Sequence, residues 1–294
     1  MILSASRRCD VPAFHTPWLL ARLQAGFAGV RNPMNPRQVS LWPTAPEAVD
    51  ALVLWSKNPA PLLPHLDMLA GYTPLIQYTL TAYPPSIEPG LPPAAERIAV
   101  FQALAAALGP ERLIWRYDPI CYGPGLGRAE HVAAFAALAG QLAGRAGRCV
   151  ISFLDDYAAV RGALAARGLY APDPAEQMAL ASALSPIARR AGMAISACCE
   201  AVDLTAAGVS AAPCIDRAQI EALCGRALRA GKDPGQRPKC GCARSVDLGA
   251  YEACPHGCVY CYAKRPGRRF RPSDPAWETL SGPIGPLDRV TDHR

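Results

Sequence analysis

Short apolar stretches rich in β-branched and aromatic residues recur through the first 230 residues, most of them separated by runs of helical periodicity. The strand candidates are Ile2–Ser6, Val39–Trp42, Ala51–Trp55, Leu75–Leu80, Arg112–Tyr117, Cys149–Phe153 and Ala194–Cys199. The helical candidates, rich in alanine and leucine, are Pro17–Gln24, Pro93–Leu108, Ala129–Leu142, Pro174–Ala191 and Asp216–Ala230. Such alternation needs crossover connections, and these join parallel strands. Seven strands, with an eighth near Gly208–Ala212, predict an α/β fold: a complete or partial (β/α)8-type, TIM-like barrel. An open doubly wound sheet is the alternative.

In a parallel barrel the C-terminal strand ends share one face, where such folds carry their sites. Polar residues collect there: Arg7, Arg8 and Asp10; Lys57 and Asn58; Thr81; Arg116 and Asp118; Asp155 and Asp156; and Glu200. Taken singly, each is as readily a loop residue. Arg116 and Asp118 stand apart, because they flank Tyr117 and point to one side of an otherwise apolar strand, where a charge needs a partner or a ligand. Arg7, Arg8, Asp10, Lys57, Arg116 and Asp118 are the candidate catalytic residues.

Composition narrows the classes. The 294 residues are 51% hydrophobic and 18% charged, with a mean hydropathy of +0.07, too apolar for a disordered chain. No apolar run approaches the roughly 18 residues of a membrane helix, and Met1 to Arg8 lack the apolar core of a signal peptide, so a cytoplasmic protein without a membrane partner is expected. In a reducing compartment, twelve cysteines imply thiolate chemistry or metal ligation rather than a disulfide framework. From Gly231 the alternation stops and the composition shifts to Pro, Gly, Arg and Cys. The expected domains are therefore a barrel over 1–230 and a Cys-rich, metal-binding tail over 231–294 that packs on it. Of the net charge of +6, five units lie in Lys264–Arg271, a run without acids. It reads as a solvated segment or as a contact for nucleic acid or phosphate.

The tail carries the densest chemistry. Cys240, Cys242, Cys254, Cys258 and Cys261 fall within 22 residues. Cys254-Pro-His-Gly-Cys258-Val-Tyr-Cys261 has C-x3-C-x2-C spacing, which lets three thiolates each take a different iron of a 4Fe-4S cluster and leaves the fourth iron open. Four-cysteine ligation suits electron transfer, whereas an open iron takes a substrate or cofactor. Cys240, Cys242 or His256 could instead fill the fourth place. Gly257 allows close backbone approach, and Tyr260 and Tyr262 can shield the cluster. With Glu200 they are the candidate cofactor-binding residues. Cys198 and Cys214 can join Cys240 and Cys242 in a second site, either a tetrahedral zinc or a second cluster, or can be small core residues. Cys121, Cys149 and Cys224 are expected in the core. Zinc is the rival for the triad, but the odd ligand of C-x3-C-x2-C fits paired knuckles poorly.

The string Cys254 to Ala263, Cys-x-His-x-Cys-x-Tyr-Cys-Tyr-Ala, resembles radical S-adenosylmethionine enzymes of the spore photoproduct lyase type. The resemblance implies S-adenosylmethionine on the open iron, cleavage to a 5'-deoxyadenosyl radical, and an electron donor as partner. Over nearly the whole chain, Ser6 to Pro12, Trp55 to Pro59, Thr79 to Tyr83, Trp115 to Ile120, Cys214 to Asp216 and Gln236 to Ala263 resemble an uncharacterised family known as a domain of unknown function. Cys9 and Ser56 stand where that family carries threonine, so Cys9 is not expected to be a ligand. The radical enzymes place their triad after the first barrel strand, whereas here only 33 residues follow Cys261. Either the order is circularly permuted or the cluster serves another purpose; no clear glycine-rich signature for the cofactor's amino group is present. The expected function is an iron–sulfur, radical S-adenosylmethionine-like enzyme acting on a polar or anionic substrate, small molecule or nucleic acid, at the barrel mouth. The alternative is a non-radical iron–sulfur or zinc protein whose basic tail binds nucleic acid.

Overall fold

The computed structural model describes residues 1–264, 270 and 272–294. Its strands are β1 (Ile2–Ala5), β2 (Phe27–Asn32), β3 (Asn35–Pro43), β4 (Ala51–Ser56), β5 (Pro74–Thr79), β6 (Leu113–Ile120), β7 (Arg148–Phe153), β8 (Ala194–Ala197), β9 (Ser210–Ala211), β10 (Val246–Asp247) and β11 (Arg289–Asp292). The helices are α1 (Val11–Phe14), α2 (Thr16–Ala25), α3 (Ala94–Leu108), α4 (Arg128–Leu142), α5 (Arg161–Ala165), α6 (Pro174–Arg190) and α7 (Arg217–Cys224).

Eight of the strands form one parallel sheet in the order β10-β1-β4-β5-β6-β7-β8-β9. A doubly wound sheet reverses direction at its switch point. This one runs without reversal from β1 to β9, with β10 added outside β1, an order compatible with an incomplete TIM-like barrel. Successive residues face opposite sides. Leu52, Leu54, Ile76, Tyr78 and Trp115 pack against helical residues such as Leu19, Phe101, Phe135 and Leu184. On the other side Ala51, Val53, Leu75, Ile114 and Val150 meet Ile220 of α7, Leu228 and the cysteines 198, 214, 240 and 242.

Two expectations change. Val39–Trp42 lies in β3, but β3 pairs antiparallel with β2 and parallel with β11 in a separate three-stranded sheet. Its place in the main sheet goes to β10, whose two residues are too few to show a period. The helix expected over Asp216–Ala230 starts on an Asp216 cap and stops at Cys224, because Gly225 takes a left-handed conformation at φ +70°. Among the described residues, no helix is long and apolar enough to cross a membrane.

The Asp247 carboxylate fastens β10 to the end of β1. It accepts from Ser6 Oγ at 2.6 Å, the Arg7 amide at 2.9 Å and Ser4 Oγ at 3.3 Å. The crossing is tight: a Cβ on Gly249 would sit 1.9 Å from Ser6 Oγ. Gly249→Ala is therefore expected to lower stability by ~1–3 kcal/mol in urea unfolding, the usual cost of overpacking. An unchanged midpoint would mean that this crossing carries no constraint.

Candidate functional site

The C-terminal ends of the main-sheet strands surround a cavity of about 740 Å³. Arg7, Arg8, Asp10, Lys57, Arg116 and Asp118 all line it, as do both cysteine sets. Glu200 does not line it; its carboxylate accepts the Phe153 amide at 3.1 Å, and burial, with Asp118 and Asp155 nearby, pushes it up to about 7.

The segment carrying Cys254, Cys258 and Cys261 has no helix or strand of its own, so tertiary contacts fix its shape. The Asp10 carboxylate, at the end of β1, is one anchor. It accepts from Ser56 Oγ at 2.6 Å, the Lys57 amide at 2.8 Å, His256 Nε2 at 2.8 Å and the Ala13 amide that it caps at 3.0 Å. Burial would raise this carboxyl, but the His256 contact and the other donors outweigh it and hold the group below the ordinary aspartate value. His256 Nδ1 lies 3.1 Å from the Gly90 carbonyl, so both ring nitrogens face acceptors.

The second anchor is Glu88, which gives no signal in the sequence because it sits in a proline-rich loop. It is 2% exposed. Lys57 Nζ donates to it at 2.9 Å, Thr81 Oγ1 at 2.9 Å, and the Tyr260 hydroxyl also donates to it. Main-chain bonds from Gly90 N to His256 O at 2.8 Å and from Val259 N to Ile87 O at 3.0 Å lay the two loops together. Gly90 is required there, since a Cβ would meet the His256 carbonyl oxygen at 2.6 Å. Tyr260 thus faces Glu88, and Tyr262 donates to the Arg7 carbonyl at 2.9 Å.

Donors surround the thiols. The Asp10 and His256 amides lie against Cys254, and Lys57 brings a positive charge near Cys258. Burial, with the negative charges of Asp10 and Glu88 nearby, outweighs these groups and pushes both thiols up to about 12. Among the described residues, the three-residue group whose ligand atoms all lie within 4.8 Å of one another is Cys198, Cys240 and Cys242. These three buried cysteines can hold a metal. The triad is spaced more widely than that.

The charged residues differ in how fully they are paired. Arg116 donates from Nε to Asp118 Oδ2 at 3.0 Å, from Nη1 to Gln77 Oε1 at 3.3 Å and from the same nitrogen to Cys214 Sγ at 3.0 Å. Asp118 Oδ1 also accepts from Ser152 at 2.8 Å. Arg7 and Arg8 have the longest contacts, to Asp233 at 3.7 Å and to the Gly249 carbonyl at 3.4 Å. Of the basic run, residues 265–269 and 271 lie outside the described residues. Cys9, Cys121 and Cys149 are buried as free thiols and Cys224 is half-buried.

Residues 2–263 match the model of the family described as Domain of unknown function (DUF1848). The chain belongs to this family. The match runs through both cysteine sets and every candidate site residue named above. No curated protein and no solved structure matches the chain.

Glu88 provides a test that needs no cofactor. Burial raises its carboxyl, but the Lys57 charge, the Tyr260 and Lys57 hydrogen bonds and Arg97 outweigh burial, so the folded value lies below the ordinary 4.5. The stability it contributes is present above the unfolded value and lost as the pH falls through the folded one. Glu88→Gln is expected to cost ~3–5 kcal/mol at pH 7, the usual penalty for breaking a buried pair. The gap from wild type should narrow as the pH drops below the ordinary glutamate value. A gap constant down to acid pH would show that the Glu88 charge does not hold the loop.

Proposed function

We propose that this protein is an iron–sulfur enzyme of radical S-adenosylmethionine-like type, with Cys254, Cys258 and Cys261 as cluster ligands at the mouth of an incomplete TIM-like barrel. The observation that carries the reading is that the nearby candidates for a fourth ligand are engaged elsewhere. His256 spends both ring nitrogens on Asp10 and Gly90. Cys240 and Cys242 cluster with Cys198. A single ion with metal–sulfur bonds of about 2.3 Å would draw its thiolates to roughly 3.8 Å apart. The triad's wider spacing suits a multi-iron group instead.

When bound by three thiolates, such a cluster offers one iron to the amino and carboxylate groups of S-adenosylmethionine and supplies the electron for its reductive cleavage. The residues of this chain have separate tasks. The Asp10 and His256 amides stabilise the Cys254 thiolate, and Lys57, held by Glu88, offsets negative charge at Cys258. Tyr260 and Tyr262 cover the loop's flank. Arg7 and Arg8, the least committed cations on the wall, are suited to anionic groups of a substrate. Trp55 has the Arg7 guanidinium 5.6 Å from its ring centre and that of Arg116 at 5.2 Å, giving one wall a flat apolar face beside positive charge. The late position of the triad in the chain is then a permuted connection, because β10 brings the tail back to β1 just before the loop begins. A cytoplasmic location and an external electron donor complete the reading.

The test is anaerobic purification, reconstitution and reduction with a strong reductant in the presence of S-adenosylmethionine. Chromatography is expected to show 5'-deoxyadenosine, and Cys258→Ser to abolish it. No 5'-deoxyadenosine, with a cluster spectrum unmoved by S-adenosylmethionine, would reduce the protein to a non-radical iron–sulfur protein. Stoichiometric zinc at the triad without iron would remove the cluster as well.

A further inference from the structure

Four cysteines outside the triad meet from opposite edges of the main sheet. Cys198 follows β8 and Cys214 follows β9, whereas Cys240 and Cys242 precede β10, at the far edge beside β1. The sulfurs of Cys198, Cys240 and Cys242 lie within 4.8 Å of one another. The Cys214 thiol is within hydrogen-bonding reach of both Cys198 and Cys242. All four are buried. We propose that these four thiolates bind one tetrahedral divalent ion of the zinc class, and that the ion clasps the seam between β9 and β10 that strand pairing leaves open.

Spacing decides the kind of metal. Zinc–thiolate bonds of about 2.3 Å place sulfurs roughly 3.8 Å apart; Cys198, Cys240 and Cys242 need only a small contraction to reach that, and Cys214, already against Cys198 and Cys242, closes the fourth position by moving toward Cys240. A cluster that gives each thiolate its own iron needs a wider set, which is how the triad is arranged. The surroundings decide that the set is a site and not merely a group of small core residues. Four thiolates around one divalent ion carry a net charge of −2, and buried charge needs compensation. The Arg116 guanidinium, buried and 3.0 Å from Cys214 Sγ while also paired with Asp118, supplies part of it. The Ile215 amide donates to Cys242 Sγ at 3.5 Å. Asp118 and Gln77 orient Arg116, and the remaining contact on Cys214 is stronger to a metal-bound thiolate than to a neutral thiol.

The backbone shows what the clasp joins. The Ala243 amide donates to the Ile215 carbonyl at 3.0 Å, so the chain after β9 and the chain before β10 already run side by side. From the sheet interior, Gln77 of β5 donates to the Cys214 carbonyl at 2.6 Å. With every coordination position taken by cysteine, the ion has no open place for substrate, and its role is structural. Binding should release thiol protons and stabilise the fold.

The experiment uses the full chain with Cys254, Cys258 and Cys261 all changed to serine, purified without oxygen from cells supplied with zinc and iron. Because the triad is removed, the outcome is independent of what the triad binds. One zinc per chain is expected, with no sulfide, and further change of Cys240→Ser and Cys242→Ser should abolish zinc binding. If that last variant does not fold, cobalt(II) loaded into the triad-less chain should give the intense visible bands of a tetrahedral four-thiolate site and be displaced by zinc. Iron with sulfide in the triad-less chain would overturn the proposal in favour of a second cluster. A chain with all four cysteines that binds neither zinc nor cobalt would overturn the site altogether.

Discussion

The loop that carries Cys254, Cys258 and Cys261 has no regular backbone hydrogen bonding, so its geometry is borrowed from the domain beneath it. Two buried carboxylates lend that geometry. Asp10 reaches His256 between the first two cysteines, and Glu88 reaches Tyr260 between the last two. Burying a carboxylate is costly unless donors surround it, and each of these has several. The same donors tie the loop to β1, to the segment after β4 and to the loop after β5. Displacing either carboxylate would therefore release the cysteines as a group, even though neither is a ligand.

The cavity has two sulfur-rich poles. At one, the widely spaced triad sits beside Lys57, Tyr260 and Tyr262. At the other, the compact set of Cys198, Cys214, Cys240 and Cys242 sits beside Arg116. Arg116 connects that pole to the cavity wall, since its guanidinium touches Asp118, Cys214 and the Trp55 ring together. Such a cation positions the Cys214 sulfur and an acid and is less available to a substrate than Arg7 or Arg8, whose contacts are longer. The division of labour follows from pairing: groups saturated by neighbours shape the site, and groups with slack are left to bind.

Much of this was legible in the sequence because it depends on period and spacing. The six long parallel strands with their apolar runs and the Ala- and Leu-rich helices declare themselves by pattern alone. So does the convergence of Arg7, Lys57 and Arg116 on one face, a consequence of parallel strands sharing an end. Other features depend on tertiary context. β10 is two residues long, and β3 has a strand-like pattern that does not reveal which sheet it joins. Glu88 looks like a loop residue among prolines until Lys57, Thr81 and Tyr260 close around it. Gln77, in the middle of an apolar strand, was a signal of the same kind as Arg116, a polar side chain on a buried face that must find a partner, and its partners are Cys214 and Arg116.

The central claim is that two cysteine sets facing one cavity are built for different metals: an open multi-iron group at the triad and a closed single ion at the seam. Anomalous diffraction from an anaerobically grown crystal, recorded at the iron and zinc absorption edges, tests both at once. The account predicts an iron peak bounded by Cys254, Cys258 and Cys261 with no fourth cysteine or histidine on it, and a separate zinc peak among Cys198, Cys214, Cys240 and Cys242. The same metal at both poles, or iron at the triad closed by a fourth side chain, would contradict it.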